Sequence, residues 1–287
     1  MKKPATQYLI ELLSRCPILV AYRVGDLLSF FVNRIPNKLV AVTEKNIQLG
    51  LGDLTRDQQK NLKTETIRHT CYALTELAAV WCWPTEKILA RVETEEICDE
   101  FRQSTKGRLI IAPHLGSWEL LNIWLASKTR LLSLYKPQEN QAVDRFILDS
   151  RSRNGAQMVA TNISGLRRII RGIKQGDSIM ILPDQKPENR KAQINARFFG
   201  RAAPTVPLVR NICLREDCEV FIAIMYRLKK RGNFGLSIEP LSHAQLAGSE
   251  LESAQYLNDE IERLVRLHLD QYQWGYKRFA RSEYLSS

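Results

Sequence analysis

The sequence predicts an α/β fold, and three observations carry that expectation. From residue 108 onward, short apolar runs at 109–112, 131–135, 158–160 and 178–182 alternate with helix-length stretches at 119–127, 141–153 and 165–174. Residues 219–227 and 233–240 then read as two strands joined by the basic turn Leu228-Lys-Lys-Arg-Gly232. The chain has 287 residues, 44% apolar and 25% charged, which is ordinary globular composition and enough to bury a full-sized core.

The chain up to residue 93 reads as helical. Pro17 and Pro36 punctuate it, and Thr55 with Gln58 makes a capping box before a long run over 56–83 that Pro84 ends. Ile67, Cys71, Leu74, Leu77, Ala78 and Trp81 give that run one apolar face. Residues 9–32 are rich in Leu, Ile, Val and Phe but carry Glu11, Arg15, Arg23 and Asp26, which argues against a clean spanning helix. Two readings stand. One is an amphipathic or hairpin-like anchor in the membrane interface, with Lys2, Lys3, Arg15 and Arg23 at headgroups; the other is a helix pair packed on the protein's own core. The expected division is a helical membrane-associating segment over 1–35 and an α/β domain over 36–287. No small-residue cleavage site of a secretory signal is present. Late in the chain, a long loop precedes a helix expected over 205–215. A last amphipathic helix over 249–272 places Leu257, Ile261, Leu264, Val265 and His268 on one side.

Charge narrows the partners. The net charge is +11, and residues 145–210 hold thirteen Lys or Arg against four acids. Such a surface suits nucleic acid, an anionic membrane face, a phosphorylated substrate or an acidic carrier protein. No helix-turn-helix, RNP, KH or zinc-finger pattern supports nucleic acid. The six cysteines form no C-x-x-C pair and read as reduced core residues, so neither a disulfide framework nor a zinc site is expected. Four histidines without metal-pair spacing argue against a metal hydrolase, and His69, His243 and His268 read as structural.

Paired chemistry meets a turn at one place, Arg108-Leu-Ile-Ile-Ala-Pro-His114-Leu-Gly-Ser-Trp-Glu119. A buried strand stops at Pro113. Gly116 and Ser117 supply backbone freedom and a capping oxygen, and a helix follows with Glu119 in its first turn. A carboxylate there could turn back to His114, leaving the imidazole to take a proton from a hydroxyl. The spacing also fits a histidine that only caps a strand end.

The residues around His114 and Glu119 resemble the H-x4-E block of the glycerolipid and lysophospholipid acyltransferase superfamily, in the form found in bacterial lipid A late acyltransferases. Three further blocks follow in order: Leu134-Tyr-Lys136-Pro-Gln-Glu-Asn140 with Arg151-Ser-Arg153-Asn-Gly155; Ile181-Leu-Pro-Asp184-Gln185 with Phe198-Phe-Gly-Arg-Ala-Ala-Pro-Thr205; and Gln271-Tyr-Gln-Trp274-Gly-Tyr-Lys-Arg278-Phe279. Lys136 stands where arginine is usual, keeping the charge but losing the bidentate fork, and Gln141 stands where proline is usual.

The resemblance implies a mixed central sheet flanked by helices, glycerolipid acyltransferase-like, with a membrane-associated N-terminal segment on the cytoplasmic face of a bacterial inner membrane. It implies transfer of a fatty acyl chain from acyl carrier protein, or from coenzyme A, to a hydroxyl of a phosphorylated lipid A precursor, with no cofactor and no metal. His114 would be the base and Glu119 its orienter. Ser117, Lys136, Arg151, Arg153, Asp184 and Thr205 would contact substrate, the helix start at Ser117 receiving a developing oxyanion and the arginines a phosphate. For Arg151 a surface ion pair with Asp149 stays open, and Asp184 could equally be structural. Another glycolipid or phospholipid acceptor is the closest alternative.

Overall fold

The structure, a computed structural model, describes residues 4–186 and 193–285. Its first third is helical: α1 (Ala5–Leu13), α2 (Ile18–Arg34), α3 (Lys38–Gly50), α4 (Arg56–Thr75), α5 (Leu77–Cys82) and α6 (Thr85–Leu89). Thr55 and Gln58 close the expected capping box on α4. The single run expected over 56–83 instead breaks after Thr75, whose hydroxyl donates back to the Cys71 carbonyl, a contact that bends helices.

Alternation begins sooner than the apolar pattern indicates. β1 (Val92–Ile97) and α7 (Asp99–Gln103) precede β2 (Arg108–Ile111), α8 (Trp118–Lys128), β3 (Leu131–Tyr135), α9 (Gln141–Arg151), β4 (Gln157–Ala160), α10 (Ile163–Lys174) and β5 (Ser178–Ile181). Then come β6 (Ile194–Phe198), β7 (Arg201–Thr205), α11 (Leu208–Cys213), β8 (Glu219–Arg227), β9 (Phe234–Leu241), α12 (His243–Leu246) and α13 (Glu250–Leu267). Seven strands form one mixed sheet in the order β1-β9-β8-β2-β5-β3-β4. β8, β2, β5, β3 and β4 run parallel, while β9 returns antiparallel to β8 and β1 pairs parallel with β9 at the edge.

Helices cover both faces. Leu109 and Ile111 of β2 point into a core shared with Ile169 and Ile173 of α10 and Leu257 and Ile261 of α13, whereas Ile110 and Ala112 face Leu120, Ile123 and Trp124 of α8. That two-sided burial is why the run reads as uninterrupted apolar sequence.

The expected long loop before α11 contains a hairpin. β6 and β7 pair antiparallel around Phe199 and Gly200, both at positive φ (48° and 71°), the geometry of a tight two-residue turn. Thr205 consequently ends a strand, and the helix begins three residues later, behind Pro207.

α2 buries Ile18, Ala21, Tyr22, Gly25 and Ser29 on one face. A Cβ at Gly25 would stand 2.7 Å from the Tyr72 ring, so glycine lets α2 lie close on α4. Its opposite face and α1 leave Leu9, Leu12, Leu19, Leu27, Phe30 and Phe31 exposed. Among the described residues no helix is long and apolar enough to cross a membrane. Lys2 and Lys3 lie outside the described residues.

Candidate active site

Strand register assembles the site. β2 and β5 pair in parallel with Arg108 opposite Ser178 and Ile111 opposite Ile181. Carried past both strand ends, the same offset sets His114 opposite Asp184, at the carboxyl edge where open α/β sheets place functional groups. The side chains meet there. His114 Nδ1 lies 2.7 Å from Asp184 Oδ1, and the His114 backbone N–H donates to Oδ2 at 2.9 Å. Asp184 is buried, which by itself would raise its carboxyl; the charge and hydrogen bonds of His114, helped by Arg278, outweigh burial and hold it below the usual carboxylate range. An ionised carboxylate on Nδ1 demands N–H at that nitrogen and leaves the ring's lone pair on Nε2. Gln185 Nε2 lies 3.2 Å from that lone pair and also donates to Gln273 Oε1 at 3.2 Å.

The corner carrying His114 is fastened from two sides. Gly116 has φ +63°, and a Cβ on it would fall 2.1 Å from the Met225 carbonyl oxygen. The Gly116 N–H donates to the Gln271 carbonyl at 3.0 Å, and the Gln273 N–H donates to the His114 carbonyl at 3.0 Å. From β8, Arg227 donates to the Gly116 carbonyl at 3.2 Å. That arginine is itself buried and paired with Glu76, which also accepts from Tyr22 of α2. Tyr272 is buried beside Asp184; burial and that negative charge push its phenol well above the ordinary value, so it stays protonated.

Glu119 is not the orienter of His114 in this geometry. α8 presents it to α5 and α9: its carboxylate accepts from Arg151 Nε at 2.9 Å, from Arg151 Nη2, and from Trp81 Nε1 at 3.2 Å. A guanidinium offers two parallel charged hydrogen bonds, which a neutral imidazole cannot match. Burial would lower the Arg151 guanidinium, yet pairing with Glu119 raises it above the ordinary value. Asp149, the alternative partner, faces Arg145 at 3.9 Å.

The remaining expected residues divide. Ser117 is buried at the start of α8, but its ψ of 67° departs from the extended cap geometry, and its Oγ makes no capping hydrogen bond. Its N–H is taken by the Met225 carbonyl at 2.6 Å, so the helix's available N–H groups are those of the first turn beyond it. Arg153 donates to the carbonyls of Val80 and Trp83, satisfying the end of α5. Thr205 is fully buried, its hydroxyl accepting from Asn258 and Arg278 at 3.0 Å each in a core network, so the structure does not place it with His114. Lys136 is exposed, one residue past β3. Gln185, Gln273, Arg227 and Glu76 escaped sequence reasoning; the first two lie inside motif blocks, while nothing local marks the buried pair.

Comparison of the sequence with known proteins points to one family. The model of the bacterial lipid A biosynthesis acyltransferase family matches residues 7–281. A lipid A biosynthesis palmitoleoyltransferase of Escherichia coli K12 is 23% identical over 261 residues, covering 90% of this chain and 82% of that protein. A lipid A biosynthesis lauroyltransferase of the same organism is 21% identical over 272 residues, covering 93% and 88%. Among solved structures, the 1-acyl-sn-glycerophosphate acyltransferase PlsC of Thermotoga maritima aligns with a TM-score of 0.40 at 12% identity, covering 86% of this chain and 97% of that one.

Proposed function

Because the chain belongs to the bacterial lipid A biosynthesis acyltransferase family, and is therefore an acyltransferase, we propose that it moves a fatty acyl chain from acyl carrier protein to a hydroxyl of a phosphorylated lipid A precursor. The observation that carries the reading is the contact between His114 and Asp184, which leaves Nε2 as the basic nitrogen. The acceptor hydroxyl displaces the Gln185 amide and gives its proton to Nε2. Its oxygen bonds to the thioester carbonyl carbon, and as the tetrahedral intermediate collapses the carbon–sulfur bond breaks and the sulfur leaves with the proton held on the imidazolium. Asp184 stabilises that imidazolium. The N–H groups of the first turn of α8, beyond Ser117, receive the developing oxyanion.

In this reading Glu119 holds the Arg151 guanidinium in place, and Arg151 with Lys136 meets the phosphate of the acceptor or of the donor's phosphopantetheine arm. Arg153 and Thr205, which the family resemblance had placed on substrate, act through the scaffold. The exposed apolar side chains of α1 and α2 seat the enzyme in the cytoplasmic face of the inner membrane, where its acceptor resides.

The test is mass spectrometry of the detergent-solubilised protein incubated with a tetra-acylated lipid A precursor and acyl carrier proteins of mixed chain length, acyl-coenzyme A being offered in parallel. A mass gain of one acyl chain from the carrier protein is expected. Thioester hydrolysis without acceptor gain would reject the acceptor, and gain from coenzyme A alone would reject the donor.

A further inference from the structure

The edge of the sheet opposite His114 holds a cluster that acyl transfer does not use. Cys213 ends α11, Cys218 immediately precedes β8 and His243 opens α12. Their two sulfur atoms and a histidine ring nitrogen all lie within 4.8 Å of one another. The fold dictates the meeting. β8 and β9 pair antiparallel with Val220 opposite Leu241, and two residues beyond the ladder the same register sets Cys218 opposite His243. The short turn after α11 then returns Cys213 to the same point.

We propose that Cys213, Cys218 and His243 form a binding site for a borderline-soft divalent cation, zinc foremost. Thiolate and imidazole are the donors such ions select. With metal–sulfur bonds of about 2.3 Å and metal–nitrogen bonds of about 2.0 Å, tetrahedral ligand atoms stand roughly 3.5–3.8 Å apart, so the observed spacing closes with about 1 Å of side-chain movement. Three protein ligands leave the fourth position to water, on the side of the half-buried His243.

The surroundings fit. His243 Nε2 lies 3.2 Å from the Glu216 carbonyl. A neutral ring donating there keeps its lone pair on Nδ1, the arrangement in which an outer carbonyl fixes the tautomer of a ligating histidine. The two thiols lie within hydrogen-bonding reach of each other. The nearby cations Lys106 and Lys174 are paired with Asp217 at 2.8 Å and Glu216 at 3.4 Å. A metal here would tie α11, the entry to β8 and α12 together.

The test uses the full chain, kept reduced, stripped with chelator, re-equilibrated with zinc and freed of excess before metal analysis. One zinc per chain is expected. Cys218→Ser and His243→Gln should each weaken binding by at least the roughly 10–100-fold seen when only an outer partner is removed. A Cys16→Ser/Cys98→Ser variant, altering cysteines elsewhere, should bind as before. Should a ligand variant misfold, the unmutated protein still decides: loaded with cobalt(II), it should show thiolate-to-cobalt charge-transfer absorption. Zinc absent from the unmutated chain, zinc retained equally by both folded ligand variants, or cobalt without that absorption would overturn the site. A Cys213–Cys218 disulfide in reductant-free protein that takes up no zinc once reduced would identify a redox pair instead.

Discussion

At the scale of single residues, the proposed reaction rests on the contact between Asp184 and His114. Asp184 bonds both the ring and the backbone of His114, so Asp184→Asn should lower kcat by roughly 10²–10⁴, the range of a positioned acid–base group, as His114→Ala should. Glu119→Gln removes the charge that holds Arg151 and should act chiefly through KM for the phosphorylated acceptor. Steady-state kinetics on the three variants separates the roles: near-normal kcat in Asp184→Asn, or equal kcat losses at Glu119 and Asp184, would return the orienting role to Glu119. The sequence made His114 legible because an apolar strand, a proline and a glycine converge on it. Asp184 was legible as a residue at a strand end. Its partnership with His114 was not, since that depends on β2 lying beside β5, a neighbour relation between segments some seventy residues apart. Glu119 misled for the complementary reason: five residues of sequence separation put it near His114 in the chain, while the helix it opens turns it toward Arg151 and Trp81.

Elements show the same division between local and distant causes. The five parallel strands were readable because burial on both faces leaves runs such as Leu109-Ile-Ile-Ala112, and the capping box on α4 because its atoms lie within one turn. β1 escaped because Val92-Glu-Thr-Glu-Glu-Ile97 is too polar for an apolar run, its place at the sheet edge leaving alternate residues exposed. The β6–β7 hairpin escaped because its turn is Phe-Gly rather than the Asn-Gly or Asp-Gly of the strongest hairpin signal. Close approach of elements yields a firm expectation at Gly116. Alanine there combines positive φ with a Cβ inside contact distance of a backbone oxygen, so Gly116→Ala should destabilise the protein by at least about 2 kcal/mol, read as a shifted denaturation midpoint. Unchanged stability would mean the corner relaxes freely. The helices α1 and α2 have one face packed on α4 and α5 and the other apolar and exposed. Phe30→Ser/Phe31→Ser should therefore reduce co-sedimentation with anionic vesicles while leaving the fold intact, because only solvent-facing apolar area is lost. Equal sedimentation of the variant and the parent chain would remove that face from membrane binding.

Over the whole molecule, one buried ion pair ties the helical N-terminal third to the sheet. Glu76, between α4 and α5, and Arg227, at the end of β8, each leave only 2% of the side chain exposed, and Tyr22 of α2 donates to the same carboxylate at 3.0 Å. The guanidinium then reaches the Gly116 carbonyl, so the buried face of α2, the helix bend at Glu76 and the corner bearing His114 share one set of hydrogen bonds. Removing one partner leaves an uncompensated buried charge, so Glu76→Gln or Arg227→Met should cost about 3–5 kcal/mol and lower Tm by on the order of 10 °C. Replacing both by methionine removes both charges, and a buried pair exchanged for apolar volume is often neutral in stability, so the double variant should recover most of that loss. Its Gly116 carbonyl nevertheless lacks the arginine donor. Thermal unfolding and turnover should consequently part company: the double variant unfolds near the parent temperature yet transfers acyl chains more slowly, because the corner that aims His114 is no longer held from β8. Recovery of both properties together would show that the pair serves only the fold, and recovery of neither would show that Tyr22 and the Gln271 contacts cannot hold the layers without it.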